Sequence, residues 1–219
     1  MPSKMIIPTQ TEDSKDAKER LMNVAMKLFG HKGLDGTTTR EIAKEANINV
    51  SLISYYFESK LGLYRAIIKA HFERVRNIAL PEFERLATSQ LDQRGYRELL
   101  KNIIDGVIEQ NTRYPEMKQI SFREITSGMP HAGDLFRDHV DPIVEGLTSL
   151  FARGQAQKVI RADIHPRLLL MMVINTVEFY VLACKHNAPL TEGCYKMPTE
   201  SNQLRDDIIK IVLEGAFNE

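Results

Sequence analysis

Val50, Ser51, Ser54 and Tyr55 place a small apolar group, two alcohols and a phenol within six consecutive positions. Side chains of this kind suit contacts to phosphate oxygens and to the edges of bases. At helical spacing Ile53 and Phe57 lie four apart and can face inward, while those four lie elsewhere around the turn. Catalytic chemistry finds no comparable constellation. Gly-x-Ser-x-Gly, a phosphate-binding glycine loop and His-Glu-x-x-His are all absent from the sequence. His131, His139 and His165 are scattered, and Cys184 and Cys194 form neither a Cys-x-x-Cys pair nor a metal set by themselves. The expectation is a chain with no catalytic residues, no metal and no cofactor.

The elements that must hold this face are helices. Leu21, Val24, Ala25, Leu28 and Phe29 recur on one side of a helix over Lys15–Lys32, closed by Gly30 and Gly33. A Gly36-Thr37-Thr38-Thr39 turn follows, and Thr38 with Glu41 fits a capping box for a short helix over Thr39–Ala46. Asn47-Ile48-Asn49 breaks that helix, Asn49 can cap the next, and Val50–Phe57 resumes helical spacing. Two short helices around a three-residue break make Thr38–Phe57 a helix-turn-helix candidate, in which the second helix offers one face to a major groove. Ser59 then caps a helix from Lys60 to about Ala79, with a kink or an end at Pro81.

The remainder reads as further helices over 95–113, 116–126, 133–152, 166–186 and 203–217, with no alternating run that argues for a strand. The fold class is therefore all-α, with an arm over 1–14, a DNA-binding domain over 15–62 and a larger helical domain over 63–219. Residues 168–184 are strongly apolar, but Asn175, Thr176 and Glu178 interrupt them, which favours a buried or interfacial helix over a membrane span. No secretory signal opens the chain, so a cytoplasmic setting with free thiols is expected. The net charge is zero, yet residues 1–76 carry thirteen basic against nine acidic side chains and the rest sixteen against twenty. A basic front end joined to an acidic remainder fits a region that meets a polyanion.

The stretch AMKLFGHKGLDGTTTREIAKEANINVSLISYYFESKLGL, Ala25 to Leu63, resembles the N-terminal domain of the TetR family of transcriptional regulators. Leu28-Phe29 before Lys32-Gly33, the threonines before Arg40-Glu41-Ile42-Ala43, and Tyr55-Tyr56-Phe57 before Ser59-Lys60 carry the likeness. One departure is Asn47, where the family usually has glycine; asparagine tolerates the left-handed conformation, so the turn should survive. The resemblance implies that Thr38, Thr39 and Arg40 contact phosphates, that Asn49, Val50, Ser51, Ser54, Tyr55 and Tyr56 face DNA, and that Lys60 pairs with a phosphate. It also implies a homodimer built on the helices over 166–186 and 203–217, a repressor of a palindromic operator, and a small-molecule effector. Met117, Phe122, Arg123, Phe136, His139, Met172 and Phe179 are the candidate lining of the effector site. The competing readings are a helical protein-interaction module and an enzyme without a familiar motif.

Overall fold

A computed structural model describes residues 12–87, 91–185 and 201–214. Most of the expected arm and Cys194 lie outside the described residues. Among the described residues there are ten helices and no strand. They are α1 (Glu12–Lys32), α2 (Thr39–Glu45), α3 (Ser51–Phe57), α4 (Lys60–Ala87), α5 (Gln93–Arg113), α6 (Pro115–Thr126), α7 (Gly133–His139), α8 (Asp141–Ala156), α9 (Pro166–Lys185) and α10 (Ser201–Glu214).

Two helices depart from expectation at prolines. α4 continues through Pro81 to Ala87, because a proline inside a helix removes one donor but need not end the element. The single helix expected over 133–152 is instead α7 and α8, with Pro142 in the first turn of α8. Proline is at home in a first turn, where its missing N–H has no intrahelical acceptor, and it clashes with a helix arriving from before it.

The chain forms two compact units. The first comprises the described residues up to Arg74 together with Glu116–Phe136, and the second runs over Val75–Pro115 and from Arg137 onward. The boundary expected at 62/63 thus falls inside α4. Leu63, Tyr64, Ile67 and Ile68 of α4 and Met117 and Ile120 of α6 are buried in the first unit beside Leu21, Phe29, Ile42 and Ile53. Periodicity shows that a helix has an apolar side, but not which core receives it.

The second unit is built on α5, α8, α9 and α10, with α9 against both α5 and α8. Tyr96 is fully buried there and its hydroxyl donates to Leu150 O at 3.1 Å. Leu169, Met172, Val173, Thr176 and Tyr180 recur at helical spacing along α9, and the structure divides them. Leu169, Val173 and Tyr180 join Leu170 and Val177 in the core, whereas Met172 and Thr176 are exposed. Leu168, Met171, Met172 and Phe179, each about half exposed, form a second apolar side of α9.

Candidate nucleic-acid interface

Thr38 starts α2 by accepting the Glu41 N–H on its hydroxyl at 3.2 Å. The Glu41 carboxylate bonds to Lys32 Nζ and, more weakly, reaches back to the Thr38 backbone N–H, the reciprocal half of the capping box. That ammonium holds the Glu41 carboxyl below its usual range. After α2, Asn47 takes φ 53°, the left-handed conformation that its side chain tolerates, and Ile48 N–H reaches back to Ala43 O at 2.9 Å. Asn49 Oδ1 then accepts from both the backbone N–H and the hydroxyl of Ser51, at 2.9 and 2.8 Å, which caps α3 as the sequence implied. The break is therefore a built turn held by hydrogen bonds of its own.

That turn fixes the rotation of α3. Ile53 and Phe57 are buried, while Val50, Ser51, Ser54 and Tyr55 are exposed, Tyr55 at 62%. Thr38 and Arg40 are also exposed and Thr39 is half-buried at the start of α2. Tyr56 is half-buried against the edge of the Tyr55 ring, with centroids 5.0 Å apart, and its buried hydroxyl has no hydrogen-bond partner. One unit therefore carries both helices with hydroxyl, phenol and guanidinium groups exposed at its surface.

Lys60 has partners inside the protein besides the phosphate that the resemblance implies. Its ammonium donates to Leu34 O at 2.7 Å and to Thr37 O at 2.8 Å, so it staples the α1–α2 connection to the start of α4. Both acceptors are main-chain carbonyls, which every residue carries, so no side-chain pattern announces the partnership.

Arg123, a candidate for the effector site, also has internal partners. Its guanidinium donates to Phe29 O at 2.9 Å, Gly30 O at 2.7 Å and His31 O at 3.2 Å, three carbonyls in the last turn of α1, of which Phe29 O also accepts the Gly33 N–H at 2.9 Å. Gly33, with φ 76°, supplies the left-handed residue just past that end. Gly30 does not end the helix as expected. It lies inside α1, where an added Cβ would come within 2.7 Å of Glu116 Cβ, so glycine permits the approach of α6.

Beside Arg123, the buried Glu124 accepts the Tyr64 hydroxyl at 3.0 Å and the His131 backbone N–H at 3.1 Å, and His131 Nδ1 lies 3.0 Å from it. Burial first, then the Glu124 carboxylate, push the Tyr64 phenol far above its ordinary range. Arg65 forks onto Asp134 at 3.0 and 2.6 Å and also donates to His131 O. This pairing pulls the Asp134 carboxyl down to about 2. Burial, with the Arg74 charge as the lesser cause, lowers His71 to about 4.

The remaining candidate ligand residues do not behave as one lining. Met117 is sealed in the core of the first unit, and Phe122, Met172 and Phe179 are exposed by 60%, 50% and 52%. These three are surface residues because each sits on the solvent side of a helix whose opposite side is buried. Phe136 is half-buried with its ring edge-on to Phe72, and His139 Nδ1 faces Arg76 Nη1 at 3.4 Å. Among the described residues no group of His, Cys, Asp and Glu could hold a metal ion, and no helix is long and apolar enough to cross a membrane.

An all-helical chain whose N-terminal unit presents an exposed second helix of a helix-turn-helix belongs, by fold and site, with DNA-binding regulators. Family comparison makes this specific. Residues 21–67 match the model of the bacterial regulatory proteins of the tetR family, and residues 97–212 match the tetracyclin repressor-like C-terminal domain. The chain belongs to the TetR family. It is 29% identical over 109 residues to the Probable HTH-type transcriptional regulator YttP of Bacillus subtilis, covering 50% of each chain. It is 38% identical over 63 residues to IcaR of Staphylococcus aureus, the HTH-type negative transcriptional regulator of the biofilm operon icaADBC, covering 29% of this chain and 34% of that one. The match thus spans half or less of these curated relatives. The crystal structure of HlyIIR, a hemolysin II transcriptional regulator, shares the fold with a TM-score of 0.67 at 22% identity, over 91% of this chain and 98% of that one.

Proposed function

We propose that this protein is a non-enzymatic transcriptional repressor that binds a palindromic stretch of double-stranded DNA as a homodimer. The observation that carries the reading is the rotation of α3: Ile53 and Phe57 anchor it, and Val50, Ser51, Ser54 and Tyr55 face outward on its far side. In this reading α3 enters a major groove, and Thr38, Thr39 and Arg40 at the start of α2 meet the backbone. Tyr56, whose hydroxyl lacks an internal partner, gains a phosphate oxygen. Repression follows the family relationship and the printed role of IcaR as a negative regulator.

Dimerisation is supported by α9. Its buried side completes its own core, and its second apolar side of Leu168, Met171, Met172 and Phe179, with Ile211 on α10, lies on the helices expected to pair. Two copies would read half-sites about one helical turn, roughly 34 Å, apart. An effector held by the larger helical unit would act only through differential affinity, binding the DNA-incompetent form more tightly.

The test is selection of duplexes from a random-sequence pool by the full chain, followed by fluorescence anisotropy on the recovered fragment over a range of salt concentrations. An inverted repeat bound with a steep salt dependence is expected, because neutralised phosphates release counterions. Recovery of no duplex above background would overturn the reading.

A further inference from the structure

We infer that Arg123 is a positioning residue for DNA binding: through it, α6 fixes the end of α1 and the connection that leads into α2. The inference rests on the proposed DNA-binding role and assigns part of it to a side chain more than sixty positions beyond the helix-turn-helix.

Three independent contacts converge on that connection. The Arg123 guanidinium gathers the carbonyls of Phe29, Gly30 and His31, where the negative end of the α1 dipole adds to the attraction. Two turns earlier on α6, Glu116 stands so near Gly30 that a Cβ there would have no room. From the other side, Lys60 takes the carbonyls of Leu34 and Thr37. Two cations from two other helices therefore hold five main-chain carbonyls between residues 29 and 37. Thr38, the first proposed phosphate contact, is the next residue in the chain and the cap of α2.

The consequence is a matter of populations. If α2 meets the backbone only when α1 ends in this place, the apparent dissociation constant is the intrinsic one divided by the fraction of molecules so held. A planar fork that satisfies three carbonyls holds that fraction high. A neutral side chain forfeits charge-assisted bonds, and the expected loss is about tenfold in DNA affinity. Lysine is a point charge and reaches fewer of the three oxygens, so it should restore only part.

The experiment compares the full-length wild type with Arg123→Gln and Arg123→Lys on the duplex recovered by selection with the wild type. Helix content is followed by circular dichroism at the same temperature. The expected result is affinity about tenfold weaker for the glutamine variant and a few-fold weaker for the lysine variant, with full helix content and an unchanged slope of log K against log salt. Should the glutamine variant lose its helical signal, the lysine variant makes the same comparison, and wild-type affinity in it overturns the inference. Wild-type affinity in a folded glutamine variant overturns it as well. A slope shallower by about 0.9 also overturns it, because Arg123 would then be neutralising a phosphate itself. Failure of the wild type to recover any duplex defeats the DNA-binding role, whereas these results defeat the Arg123 inference alone.

Discussion

Replacing Lys60 with methionine keeps an unbranched side chain, one atom shorter, and removes its charge. The structure makes the outcome quantitative. The ammonium holds Leu34 O and Thr37 O at 2.7 and 2.8 Å, in a half-buried position that water can partly reach. A hydrogen bond to a charged group contributes about 1.5–3 kcal/mol, and two that share one charge do not add in full, so the loss is about 2–3 kcal/mol. For a chain of this size that lowers the thermal midpoint by roughly 4–12 °C. The chain contains no tryptophan, so far-UV circular dichroism is the natural probe. The reasoning is refuted if Lys60→Met melts with the wild type while its DNA affinity falls and its salt slope becomes shallower by about 0.9. That pattern belongs to a lysine whose partner is a phosphate and not the α1–α2 connection.

Three further outcomes are expected. Tyr55→Ala, at a position 62% exposed, should leave the melting curve within about 0.5 kcal/mol of wild type and still weaken binding to the selected duplex; equal binding in anisotropy would remove Tyr55 from the interface. His71 is lowered to about 4 by burial, so the unfolded chain binds its proton more readily than the folded one below about pH 6.5. Stability should therefore fall as pH drops from about 6.5 towards 4, by on the order of 3 kcal/mol, and urea melts of His71→Gln should show a flatter dependence over that window. Phe179→Asp places a charge on the exposed apolar side of α9 and should shift sedimentation from dimer towards monomer at micromolar concentration while leaving the helical signal intact; an unchanged mass would exclude that side as the interface.

Much of the DNA-facing element was legible in the sequence because its information is local. Thr38 caps α2, Asn47 adopts the left-handed turn, Asn49 caps α3, and Ile53 and Phe57 turn inward, each as residue type and spacing implied. Such features depend on neighbours within four positions, and the chain supplies those neighbours in order. The family likeness over 25–63 is equally local, although Asn47 is its one departure.

What the sequence could not convey lies in contacts between side chains and main-chain oxygens far along the chain. Lys60 and Arg123 look like surface cations awaiting a phosphate or a ligand, yet their donors go to carbonyls 23 to 94 positions away. A carbonyl has no side-chain identity to read, so only the folded backbone reveals the pairing. The division of α9 into a core side and an exposed apolar side has a similar origin. Its residues are apolar nearly all round, and the packing of α5, α8 and α10 decides which of them find a partner within the chain. Residue order thus determined the helices, their caps and the outward face of α3, because these are settled within one or two turns. Tertiary structure decided which core each helix joins and what each cation holds, because those depend on which distant surfaces meet.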